Sequence, residues 1–379
     1  MSATDLVDPR VWPRANADDA WAARLHELAQ AALAAPTRRE ADALDATARG
    51  LLEAALADPR GHALAEALRG APSLGVARHL RRLLADIERA GPPTGETLAT
   101  TLFAIPLIVV AALDAGAAPV TLSGVLPDAR ALEAILRDAR AFGGSETFGL
   151  ASVLVAADAI DIPALPMLLA RTRMADGGTL DLPPAPIAIR ETSERVHLRF
   201  IAGAVLAPRH VDPLAEPNIG AWGIAFAQAI GAAMRARGCT LLALPRPPQR
   251  LVPAVQSGRA AQREVAAQLF AANAIRKLRA SHGEPTAIVS AHRAAATPGG
   301  GELRLSVSSP FAPREAEGLR CPIYAYETVH EVGAMLHALL RDCRVSDVRF
   351  MPGIHADIDP LTGGPLFFKD AAAPPAAVH

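Results

Sequence analysis

The chain has 379 residues and a formal net charge of -1, with a pI near 6.8. That length suits two ordinary domains, and the near-neutral balance excludes a global pull toward nucleic acid or anionic lipid. Cys239, Cys321 and Cys343 are odd in number and widely spaced, which excludes a disulfide framework or a Cys-based zinc site and points to a reducing cytoplasm.

Hydrophobic residues make up 51% of the chain but aromatics only 4%. Much of the remainder is alanine, so cores must come from Leu, Val and Ile packed at close helix spacing. The opening residues, MSATDLVDPRVWPR, have no basic stretch followed by an apolar core, so no secretory signal is expected.

From residue 18 to 91 the pattern is helical. Trp21, Leu25 and Leu28 fall at helix spacing, and Pro36-Thr37 marks a break and a new start. Leu44, Leu51, Leu52 and Leu56 carry a second helix, Leu64 and Leu68 a third. Leu80, Leu83, Leu84 and Ile87 line a fourth that stops at Gly91-Pro92-Pro93. The next block, 94–174, is more apolar. Residues 98–113 (LATTLFAIPLIVVAAL) are too short to span a bilayer, contain Pro106, and read as a buried core helix. A short strand is expected at 119–122, a helix from Pro127-Asp128 through Leu132, Ile135 and Leu136, and another helix at 148–159. Gly143-Gly144-Ser145 reads as an ordinary N-cap rather than an anion cradle, because no lysine follows at P-loop spacing.

The Gly/Pro-rich residues 176–186 read as the linker. This places a helical domain at 1–178, in two blocks, an α+β domain at 185–370 and a disordered tail at 371–379. Within the second domain, 195–206 alternates as a half-buried strand. The apolar run 219–234 is a helix that ends at Arg235-Ala236-Arg237-Gly238. Basic residues there offset the helix dipole, and CTLLAL (239–244) then reads as a buried strand closed by Pro245. Trp222, Phe226 and Ile230 form a bulky row, with Gly223, Ala227 and Gly231 as a small-residue ridge beside it. A long helix begins at Ser257 and runs to Gly283. Strands follow at 286–290 and 302–308, the second with Leu303, Leu305 and Val307 inward and Glu302, Arg304 and Ser306 on a wet face. A short strand at 322–326, a helix at 327–341 and a last strand at 345–351 complete the chain. The fold class is therefore α+β: an all-helical N-terminal half, then a mixed, largely antiparallel sheet with helices on one face.

Three constellations could carry chemistry. His355, Asp357 and Asp359 alternate after the last strand, so an extended backbone puts one imidazole and two carboxylates on one face, a set suited to a divalent metal. Glu327 and His330 form a single E-x-x-H without the second copy a di-metal bundle site needs, and read as a polar helix stripe. Arg246, Arg250, Arg259, Arg263, Arg276, Lys277, Arg279 and Arg293 form a basic stretch that could meet phosphate or an acidic protein. Phe270 is its sole aromatic, which disfavours single-stranded nucleic acid. No G-x-S-x-G, G-x-G-x-x-G, Walker or kinase signature is present.

The reading is a non-catalytic cytoplasmic assembly or scaffold protein that binds a protein partner or itself, with no cofactor and no catalytic residues. The alternative is a metal-dependent hydrolase at His355, Asp357 and Asp359, in which the ion activates water. The third is phosphate or nucleic-acid contact through the basic helix.

Overall fold

The computed structural model describes residues 20–57, 64, 67–68, 70–90, 98–114, 116–126, 128–143, 145, 147–165, 167–169, 180–190, 196–208, 210–215, 218–293, 301–309, 312–324, 326–355 and 369–370. Over these, the chain divides into two compact units. One is built from residues up to 71 and 78–262, the other from 72–77 and from 263 onward. The fold class is α+β, with a helical N-terminal region followed by sheets and helices.

The helical region contains α1 (Ala20–Ala34), α2 (Arg38–Ala57) and α3 (Leu74–Ala90). The break at Pro36-Thr37 is real: the Glu40 N–H donates to Thr37 Oγ1, which caps α2. Leu25, Leu28, Leu52, Leu80 and Leu84 are all buried, the inward stripe expected of amphipathic helices. The rest of the first unit runs through β1 (Leu98–Leu113), β2 (Val120–Leu122), α4 (Ala129–Asp138), β3 (Phe148–Leu150), β4 (Ile187–Ile189), β5 (Val196–Pro208), α5 (Ile219–Ala233), β6 (Cys239–Pro245) and the start of α6 (Leu251–His282). Its main sheet is antiparallel in the order β3-β5-β1-β6.

The structure departs from two of these expectations. Residues 98–113 are the central strand β1, not a helix. An unbroken apolar run carries no period that separates a buried helix from a strand buried on both faces. The β-branched content (Thr100, Thr101, Ile105, Ile108, Val109, Val110) tips it toward strand. Pro106 is tolerated because it sits where the β1–β6 ladder ends: Arg246, just past the end of β6, donates its N–H to the Pro106 carbonyl at 2.8 Å, and only the return bond is forgone. Likewise 148–159 is not a helix. It begins as β3 and continues extended along β5, with Ala151 N–H donating to Ala202 and Val155 exchanging bonds with Phe200, before a 3-10 turn at Ala157–Ala159.

One face of this sheet (Phe103, Ile105, Leu107, Val109) packs in a common core with Leu132 and Leu136 of α4 and Trp222, Phe226 and Ile230 of α5. Phe103 lies across Gly203, where an added Cβ would sit 2.5 Å from the ring. On the opposite face, a Cβ on Gly258 of α6 would lie 3.0 Å from Leu198 and Phe200. The sheet is therefore apolar on both sides.

From Arg263 the second half of α6 belongs to the other unit. That unit adds β7 (Thr286–Arg293), β8 (Gly301–Ser309), β9 (Ala312–Ile323), α7 (Val329–Asp342), β10 (Asp347–His355) and β11 (Lys369–Asp370). The five-stranded sheet runs β10-β7-β8-β9-β11, antiparallel at its centre and parallel at both outer pairs. Helices α6 and α7 cover one face, burying Ala271, Ile275, Val332 and Leu336 against Val289, Leu303, Leu305 and Cys321. A reciprocal capping box between Thr328 and Glu331 starts α7. The alternation of β8 is as expected, but its polar side is not wet: Glu302, Arg304 and Ser306 are no more than 6% exposed.

Among the described residues no helix is long and apolar enough to cross a membrane. Residues 176–179 of the expected linker and the expected disordered tail, 371–379, lie outside the described residues.

Candidate interaction surface

The stretch around Gly238 folds as its composition dictates. Met234 caps α5, Gly238 takes a positive φ of 75°, and its carbonyl accepts from the Asp114 N–H. Trp222, Phe226 and Ile230 are driven into the core. The opposite side of α5 carries no ionisable residue at all (IGAWGIAFAQAIGAA) and leaves Ile224 75% exposed. Beside it runs β6, with Leu242 54% exposed. Between them lies a groove of about 400 Å³ bounded by Gln228 and Gly231 of α5, Arg235 just past its end, and Cys239, Leu241 and Leu242 of β6.

β6 is an edge strand, paired among the described residues only to β1. Its ladder is bracketed by bonds at Gly238 (accepting from Asp114) and Arg246 (donating to Pro106). Because antiparallel pairing has a period of two, the backbone groups of Thr240, Leu242 and Leu244 point to β1. Those of Cys239, Leu241 and Ala243 point to the open edge.

The sequence-predicted basic residues do not make one exposed cationic face. Arg263 is buried and forms a bidentate pair with Glu327 at 2.6 and 2.7 Å, and also donates to the Pro322 carbonyl. Burial works against its charge, and the Glu327 carboxylate more than offsets this, so its pKa is raised. Arg259 pairs with Asp161, Arg250 with Asp212, Lys277 with Glu317 and Arg279 with Glu284. Arg276 donates to Asn273, and Arg246 is half-buried beyond the end of β6.

Of the three metal candidates, His355 closes β10 in register with His292 of β7, while Asp357 and Asp359 lie outside the described residues. Among the described residues no group of three His, Cys, Asp or Glu side chains is arranged to hold a metal. Glu327 precedes α7 rather than lying on it, and is engaged by Arg263 and the Tyr324 N–H. His330 is exposed. On the polar side of the five-stranded sheet, Ser290 Oγ and His292 Nε2 lie 2.8 Å apart and Arg304 donates to Glu302 at 2.6 Å, all four side chains buried.

Glu88 was missed by sequence reasoning. It continues the Leu80–Leu84 row of α3 at helix spacing, which is the signal that places it inward. It is 3% exposed, and burial raises its pKa to about 8 against the counteracting charge of Arg250 and the backbone N–H of Val252. Arg250 lines a cleft of about 190 Å³ with Thr101, His210 and Asp212. The cleft offers little chemistry: Asp212 already accepts from Arg250 at 2.8 Å, and Glu88 is not part of its lining.

Compared with known proteins, the chain matches no family model, no curated protein and no solved structure.

Proposed function

We propose that the chain is a non-catalytic assembly protein whose partner-binding surface is the uncharged side of α5 together with the open edge of β6. The observation that carries this reading is the pairing of a 75% exposed Ile224 with an edge strand that exposes Leu242. Large apolar side chains left in solvent beside an edge strand favour protein–protein contact, and an open edge supplies backbone hydrogen bonds for an added strand. The ion pairs along α6 favour a protein partner over nucleic acid, since most of the cations already have an acidic neighbour. Three free thiols suit a reducing cytoplasm.

The test is capture from a lysate of the source cells by the immobilised full chain, compared with Ile224→Glu. A specific binder, including the chain itself, should be retained by the parent and lost from the variant, whose circular dichroism should match the parent's. Identical retention by both proteins overturns the reading.

A further inference from the structure

The occupant of this face follows from how the described edges differ. In the five-stranded sheet, β10 carries a charged pair, Arg349 with Asp347, and a bulge between Phe350 and Ile354 next to Pro352 and Gly353. β11 has only two residues. In the four-stranded sheet, β3 has only three. Charges, bulges and brevity are the devices that stop strands from pairing with other chains. Over Cys239–Leu244, β6 has none of them: these residues hold no charge, the pairing with β1 is regular, and the one blocking residue, Pro245, stands at the very end of the strand.

Resting on the assembly reading, we infer that the partner is a second copy of this chain, joined by antiparallel pairing of the two β6 edges about a two-fold axis at Leu241. The backbone parity selects this register. Cys239, Leu241 and Ala243 point outward, so with Leu241 opposite its symmetry mate, Cys239 meets Ala243 of the other copy. Each of these residues then both donates and accepts. Shifting the centre to Leu242 would bring Cys239 opposite Pro245, which has no N–H, and lose bonds. The axis stands perpendicular to the sheet, so both copies of α5 fall on the same face. An isologous contact brings each patch against itself; α5 holds no charge to oppose this, and the cation at the rim of the groove, Arg235, lies past its end. Ile224, Ala227 and Gly231 share the side of α5 turned to the groove, and small side chains there let the helices approach.

A seven-residue strand is about 23 Å long, so pairing of two such edges is a small contact beside the roughly 800 Å² per partner of a standard interface, and the dimer is reversible.

In this register Thr240 stands opposite Leu242 of the other copy, and this makes the proposal testable on the purified full chain by sedimentation velocity. The parent should pass from monomer to dimer as its concentration rises about a hundredfold. Thr240→Lys with Leu242→Lys should remain monomeric. Thr240→Lys with Leu242→Glu places opposite charges across the axis and should restore the dimer at low salt, weakening as salt is added. Circular dichroism of both variants reports whether the fold is intact. If either is unfolded, Leu242→Lys alone, at an exposed side chain, replaces it and should weaken the dimer at least tenfold. A parent that is monomeric throughout overturns the self-pairing, as does a dimer that survives both lysines. Loss of lysate capture by Ile224→Glu alongside a monomeric parent would leave the assembly reading standing and remove only the second copy as partner.

Discussion

The two sheets handle polar groups in opposite ways. The four-stranded sheet is apolar on both faces and ends in an uncharged strand, so its surplus of apolar surface appears at β6 and on α5. The five-stranded sheet is apolar only toward its helices. On its other side it buries Ser290, His292, Glu302, Arg304 and Ser306, and it guards the edge at β10 with Asp347 and Arg349. Both units pair charges internally, but only the five-stranded sheet carries them on its own strands and at its edge, whereas β6 holds none. The difference teaches that interaction capacity here is a property of one edge and its flanking helix, and not of the conspicuous arginines.

Glu88 is a deeply buried acid in the unit of the four-stranded sheet, and replacing it probes the comparison most strongly. A carboxyl whose pKa is raised to about 8 in the folded state binds its proton more tightly than in the unfolded chain. Stability should then fall as pH rises between about 4.5 and about 8, by up to about 5 kcal/mol. Glu88→Gln should flatten this slope and be the more stable protein above pH 8. Parallel urea-unfolding curves for parent and variant across that range would show that the acid is not desolvated as described.

The second probe concerns the charge-bearing unit. Glu327→Ala leaves the Arg263 guanidinium buried without its carboxylate and should cost about 3–5 kcal/mol, whereas Arg263→Met with Glu327→Leu should recover most of the loss. If the single substitution cost under about 1 kcal/mol, the pair would behave as a solvated surface pair. The smallest effect is chemical. Cys321 is fully buried and its pKa is pushed up to about 12, while Cys239 and Cys343 are half-buried. A thiol reagent acting on the native protein should label the latter two and spare Cys321, as read by peptide mass; early labelling of Cys321 would contradict the packing of that core.

How far these features could be read in advance depended on whether the signal was local. The α5–β6 unit was legible because Arg235, Arg237, Gly238 and Pro245 punctuate it within a few residues, and Asp128 marked the start of α4 in the same way. β1 was not, because a run of 16 residues that is apolar throughout has the same appearance as a strand or a helix. In β8 the alternation was legible, but which side meets water depends on what the rest of the chain places over it. The proximity of Glu88 to Arg250, and the pairing of Arg263 with Glu327, join residues far apart in the chain, and no spacing announces them. The open edge of β6 was equally hidden, since a buried strand and an unpaired edge strand can share one composition.

The far edge of this sheet has a last consequence. When two copies join through β6, the resulting sheet terminates at each end in β3 and its extension to Val155, whose outer side is already bonded where Leu126 N–H donates to Ser152 and Leu154 N–H to Gly124. The association is thereby finite: a fibre cannot grow from it, and raising the concentration should saturate at pairs rather than yield ever larger aggregates.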